Sequence, residues 1–91
     1  MDRVKEISKG KYSDGEFLYE IRSLDIEDLR ELLSEIKYIH DGAQDKLNGA
    51  MKKFRETGIA ADPEWFSKCK MVTNIRKKHI LMIERQISLR L

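Results

Sequence analysis

One seam of mainly apolar positions runs through the middle of the chain: Ile26, Leu29, Leu33, Ile36, His40, Ala43, Leu47, Ala50 and Phe54. The steps alternate three and four residues, the repeat of a coiled-coil helix, over nearly four heptads. The seam passes through Asp41-Gly42 and Asn48-Gly49, dipeptides that usually mark tight turns. A hairpin turn at either place would shift the phase, and the phase does not shift. The pattern therefore predicts one continuous helix. Each internal glycine costs about 1 kcal/mol relative to alanine. Gly42 and Gly49 share a face, so the expected return is close packing of a neighbouring backbone. The alternative is a local kink or a frayed segment.

Local chemistry bounds this helix at about 25–57. Asp25 can accept hydrogen bonds from the first free backbone N–H groups, and Leu24 and Leu29 hold the two positions of a hydrophobic staple. Gly58 can take the left-handed conformation that closes a helix. A second long helix spans about 62–90, opened by Asp62 as cap and Pro63 where its missing N–H does no harm. Its broad stripe comprises Trp65, Cys69, Val72, Ile75, His79, Ile80, Ile83 and Ile87, with Met71, Met82 and Leu89 on one flank. So wide a stripe calls for more than one packing neighbour.

Ahead of these helices, residues 16–22 read as a short helix with Phe17, Leu18 and Ile21 on one face. Residues 1–15 carry mixed charge and two breakers, Gly10 and Gly15, and read as a mobile or loosely docked arm.

Two helices of about 30 residues joined by a short turn fold back antiparallel, each roughly 45 Å long. Facing residues then have numbers that sum to about 119, which sets Phe54 against Trp65, Ala50 against Cys69, Leu47 against Val72, Ile36 against Ile83 and His40 against His79. Charge supports the fold-back. Residues 25–45 carry seven acids against two bases, a net −5, and residues 75–91 carry five bases against Glu84, a net +4. The fold class expected is all-α: an antiparallel two-helix coiled-coil hairpin (residues 16–91) with a short N-terminal helix. A lone hairpin has little core, so the chain is expected to homodimerise into a helical bundle.

Composition agrees with one small helical domain: 91 residues, 37% charged, 41% apolar and a single proline. A net charge of +2 does not announce a nucleic-acid binder. Cys69 is the single cysteine, which excludes an internal disulfide framework and suits a reducing cytosol. The opening MDRVKEISKGKY lacks the apolar core of a secretion signal, and no apolar run approaches the roughly 20 residues of a membrane span. The expected location is cytoplasmic, away from membranes.

Candidate chemistry is sparse. His40 and His79, if they face each other, could bind a transition metal or report pH. The plainer reading is two neutral imidazoles bonded to each other, to a carboxylate such as Asp41, or to water; a structural zinc site normally needs about four ligands. Cys69 has Lys68 and Lys70 beside it but no histidine within a helical turn, so it reads as a small core residue and not a nucleophile. Lys46, Lys52, Lys53, Arg55, Lys68 and Lys70 form a basic cluster near the turn, with Trp65 and Phe66 beside it. Such a cluster can contact phosphates while the rings stack on bases; the plainer reading is a solvated helix surface. Glu27, Asp28, Glu31 and Glu35 read as a solvated acidic face. No catalytic or cofactor motif is present, so no enzyme is expected.

The segment Gly58 to Ile87, with GIAADPEWFSKCK followed by NIRKKHILMIERQI, resembles a pattern in small phage and prophage proteins of uncharacterised role. Those chains carry a glycine, then Asp-Pro-Glu-Trp with a second aromatic, then a basic helix ending in an Ile- or Leu-rich stretch. The resemblance covers about the last third of the chain. Such proteins often belong to accessory sets near phage recombination genes. It implies a non-enzymatic phage accessory or adaptor protein, acting on a host or phage DNA-metabolism protein in the bacterial cytoplasm. It brings no functional residues with it. The alternative function is nucleic-acid binding through the basic turn region.

Overall fold

A computed structural model of the chain describes residues 2–91. Four helices follow in order: α1 (Arg3–Lys9), α2 (Asp14–Arg22), α3 (Ile26–Thr57) and α4 (Pro63–Arg90). No strand occurs among the described residues. The long helices α3 and α4 pack along each other, α1 packs on α3, and α2 packs on α4. The molecule is a rod of 48 × 23 × 22 Å.

Each helix starts where a side chain can satisfy its free N–H groups. Asp2 accepts from the Val4 N–H at 3.0 Å, Asp25 from Asp28 at 2.8 Å and Asp62 from Glu64 at 3.1 Å. Ser13 and Glu16 form a reciprocal capping box at α2. Gly58 ends α3 with φ of 72°, a left-handed conformation that a side chain would resist. Helix α3 runs unbroken through both glycine dipeptides, as the seam requires.

The core lies at one end of the rod. Val4, Ile7, Phe17, Ile21, Leu24, Leu29, Leu32, Ile36 and Ile83 form a single buried cluster drawn from all four helices and the α2–α3 joint. Burying a side chain of this size contributes about 1.5–3 kcal/mol. Ile36 and Ile83 share it, in keeping with their expected pairing. Arg90 reaches back from the end of α4 and donates to the carbonyls of Leu24, Arg22 (2.7 Å) and Ile21 (3.4 Å). The guanidinium thus adds donors to carbonyls at and just beyond the end of α2, where a cation is also favoured by the helix dipole.

Three expectations need correction. The first concerns residues 1–15, of which Met1 lies outside the described residues. This stretch is not a loose arm, because α1 buries Val4 and Ile7 in the core. Gly15 breaks nothing; it lies inside the first turn of α2. Gly10 permits the Tyr12 ring to fold back, since a Cβ there would stand 2.3 Å from that ring. Second, Gly42 and Gly49 are not close-packed within the chain. A Cβ on either would meet no atom within 4 Å. Third, the opposite charges of α3 and α4 form no ion pair between those two helices among the described residues. The tertiary pairs are instead Lys78–Asp14 at 2.9 Å and Arg3–Glu20 at 3.0 Å.

A candidate interaction surface on the turn half

Trp65, Val72, His79 and Gln86 follow one another at seven-residue steps, so they lie along one face of α4. His79 and Gln86 are covered, with 2% and 8% of their surface exposed, but Val72 and Trp65 retain 38% and 37%. The cover is α2: Phe17 stacks on His79, and Arg90 at the far end of α4 bonds the α2 carbonyls. Toward the turn that cover stops and the same apolar face continues in the open. Met51, Phe54, Ile59, Met71 and Ile75 are also exposed on this half of the hairpin, and Phe54 does not seal against Trp65 as the pairing rule expects.

Grooves run along both sides of the bare hairpin. On one side Met51, Phe54, Ala60, Pro63 and Phe66 line an apolar hollow of about 620 Å³, with Arg55 at its edge. On the other side Tyr38, Ile39, Ala43, Cys69 and Val72 line a hollow of about 670 Å³, rimmed by Asp41, Asp45, Lys46 and Lys68. A smaller hollow of about 310 Å³ adjoins it, holding Trp65, Lys46, Gly49 and Lys53. Apolar floors with charged rims are the common form of protein-binding surfaces.

The basic cluster is divided by this geometry. Lys46, Lys53 and Lys68 line the two hollows on one side, and Arg55 belongs to the hollow on the other. Lys52 lies 4.0 Å from Glu56, and Lys68 lies 3.7 Å from Glu64, both one helical turn away. Lys70 lies on the exposed surface of α4 and lines none of the three hollows. Cys69 is half-buried in a groove whose lining contains no histidine.

The histidines do not form the mutually bonded pair. His40 Nδ1 lies 3.1 Å from Asp41 Oδ1, and His40 lines a mixed hollow with Lys37, Asn74, Lys77, Ile80 and Leu81. His79 stacks on Phe17 instead, and neither of its ring nitrogens has a hydrogen-bond partner. Burial lowers the His79 pKa, and the Arg76 charge lowers it further; Asp14 raises it and Lys78 lowers it. Arg76 is itself desolvated, which lowers its pKa, and one terminal nitrogen is buried without a partner. Among the described residues no group of three or more His, Cys, Asp or Glu side chains could hold a metal ion. Among the described residues no helix is long and apolar enough to cross a membrane.

Sequence reasoning missed helix α1, the Tyr12 and Leu32 packing, and the Arg90 cap. Asp2 ahead of Val4 and Ile7, three residues apart, was the available signal for α1. Nothing local marks Arg90, whose partners lie more than 60 residues away. Comparison with protein-family models, curated proteins and solved structures gives no match.

Proposed function

We propose that this chain is a non-enzymatic adaptor that works as a homodimer and acts through protein–protein contacts. Its most concrete form is a phage accessory protein that modulates a host or phage DNA-metabolism protein in the bacterial cytoplasm. One observation carries the interaction reading: Met51, Phe54, Trp65 and Val72 are exposed on the turn half and line apolar-floored hollows on its two sides. Contiguous exposed apolar surface on a small protein marks an interaction site more often than chance placement. The same layout supports a second copy, because the buried cluster lies toward one end of the rod and, among the described residues, only Leu47 and Thr73 are buried on the other half. The test is affinity capture from bacterial lysate with the full chain and with Phe54→Ser. A protein retained by the first and lost by the second supports the reading; equal retention, or none, contradicts it.

A second reading has one observation of its own. Trp65 shares a hollow with Lys46 and Lys53, which is the combination of ring and cation that holds single-stranded nucleic acid. A gel-shift series in rising salt separates the two. Binding that weakens steeply with salt and disappears in Lys46→Glu/Lys53→Glu favours nucleic acid.

A further inference from the structure

The α1–α2 layer covers only the open end of one side of the α3–α4 hairpin. We infer that the uncovered half of that side docks a second copy of this chain, turn half against turn half, with the two hairpins antiparallel. This rests on the homodimer reading above and assigns it a surface.

The continuity of the face is the first argument. Along α4 the stripe from Gln86 and His79 to Val72 and Trp65 passes from covered to open without changing direction. Along α3 the matching stripe runs through Leu32, Ile39, Lys46 and Lys53; Leu32 is fully buried, Ile39 half-buried, and the two lysines exposed. What α1 and α2 do for the open end, another layer of helices must do for the turn half. Ile39, Ala43, Cys69 and Val72 form its apolar floor.

Charge selects the occupant and its direction. Asp41 and Asp45 lie on this groove toward the covered end, and Lys53 and Lys68 lie toward the turn. An antiparallel two-fold near the level of Asn48 brings Asp41 and Asp45 of each copy toward the Lys53 and Lys68 end of the other, so the same attraction is made twice. A parallel pairing would bring both α1–α2 layers to the same end of the same side, where they collide, and would set like charges together. A polyanion would meet Asp41 and Asp45 along the same groove, so nucleic acid is the poorer fit here.

The experiment follows mass by sedimentation equilibrium and Trp65 emission by fluorescence on the full chain, over one dilution series. Trp65 is the single tryptophan and lies in the proposed contact. The expected result is a dimer whose dissociation on dilution shifts the emission to the red. Val72→Glu raises Kd at least tenfold, and Leu81→Glu, exposed on another face of α4, leaves it within twofold. Two surface variants guard against misfolding: Lys53→Glu/Lys68→Glu and Asp41→Lys/Asp45→Lys. Each dimerises poorly alone, and mixing them restores a mixed dimer. A dimer indifferent to Val72→Glu, to the charge variants and in its emission overturns this surface but leaves the homodimer reading standing. A monomer at every concentration overturns both.

Discussion

The His79 imidazole lies flat on the Phe17 ring, with centroids 3.8 Å apart and planes 6° from parallel. This stack joins α2 to α4 and places a titratable ring where neither nitrogen finds a partner. The buried neutral imidazole behaves as an aromatic core residue, and its protonation is disfavoured by the surroundings.

Stability should therefore depend on pH in a definite direction. The folded pKa of His79 lies below the unfolded value of 6.5, through burial first and then the Arg76 charge, with Lys78 adding to it and Asp14 opposing. As pH falls, the unfolded chain takes up the proton first. The contribution of His79 is thus fully present above the unfolded pKa and is lost as pH falls from there through the depressed folded pKa. Urea midpoints measured on either side of that window should drop on the acid side. His79→Leu should flatten this part of the profile; an unchanged slope would contradict the assignment.

Helix α1 should be part of the cooperative core. Ile7→Ala is expected to cost about 2–5 kcal/mol by urea denaturation, the usual range for a buried isoleucine. Ile75→Ala, on the exposed turn half, should cost about 0.5 kcal/mol or less in the monomer. Equal, small effects would mean that α1 does not dock in solution.

Arg90→Met removes the donor to three carbonyls, two in the last turn of α2 and one in the α2–α3 joint. The expected loss is about 1–2 kcal/mol, since each carbonyl can turn partly to water. Arg90→Lys should recover only part of it, because an ammonium cannot span three acceptors as a planar guanidinium does. Thermal unfolding of both variants checks the order.

Gly42→Ala and Gly49→Ala meet open space in a continuous helix. Each should stabilise the dilute monomer by about 0.5–1 kcal/mol, through helix propensity and a less flexible unfolded chain. Destabilisation in thermal unfolding would show a neighbour against that face.

The parts legible in the sequence are those set by neighbours along the chain. The caps Asp25, Asp62 and Gly58, and the seam from Ile26 to Ala50, depend on residues within a turn or two, so α3 and α4 emerged with nearly correct bounds. The hairpin followed from its short connection. What escaped depends on a third layer. His40 and His79 could be paired by counting along two helices, but α2 competes for His79 through Phe17, and no two-helix rule contains that choice. The glycines at 42 and 49 share a face as the spacing implies; which helix lies opposite is tertiary information. The basic residues near the turn form one cluster in sequence, and the hairpin divides it between two sides.

The central claim is that one end of this rod is closed by its own core and the turn half is the surface on which it associates. Amide hydrogen exchange measured on the full chain at low and high protein concentration tests it most directly. Peptides covering residues 46–75 should gain protection as concentration rises, while those from α1, α2 and the ends of α3 and α4 that pack on them stay constant. Protection that ignores concentration throughout, or rises at the closed end instead, would contradict the account.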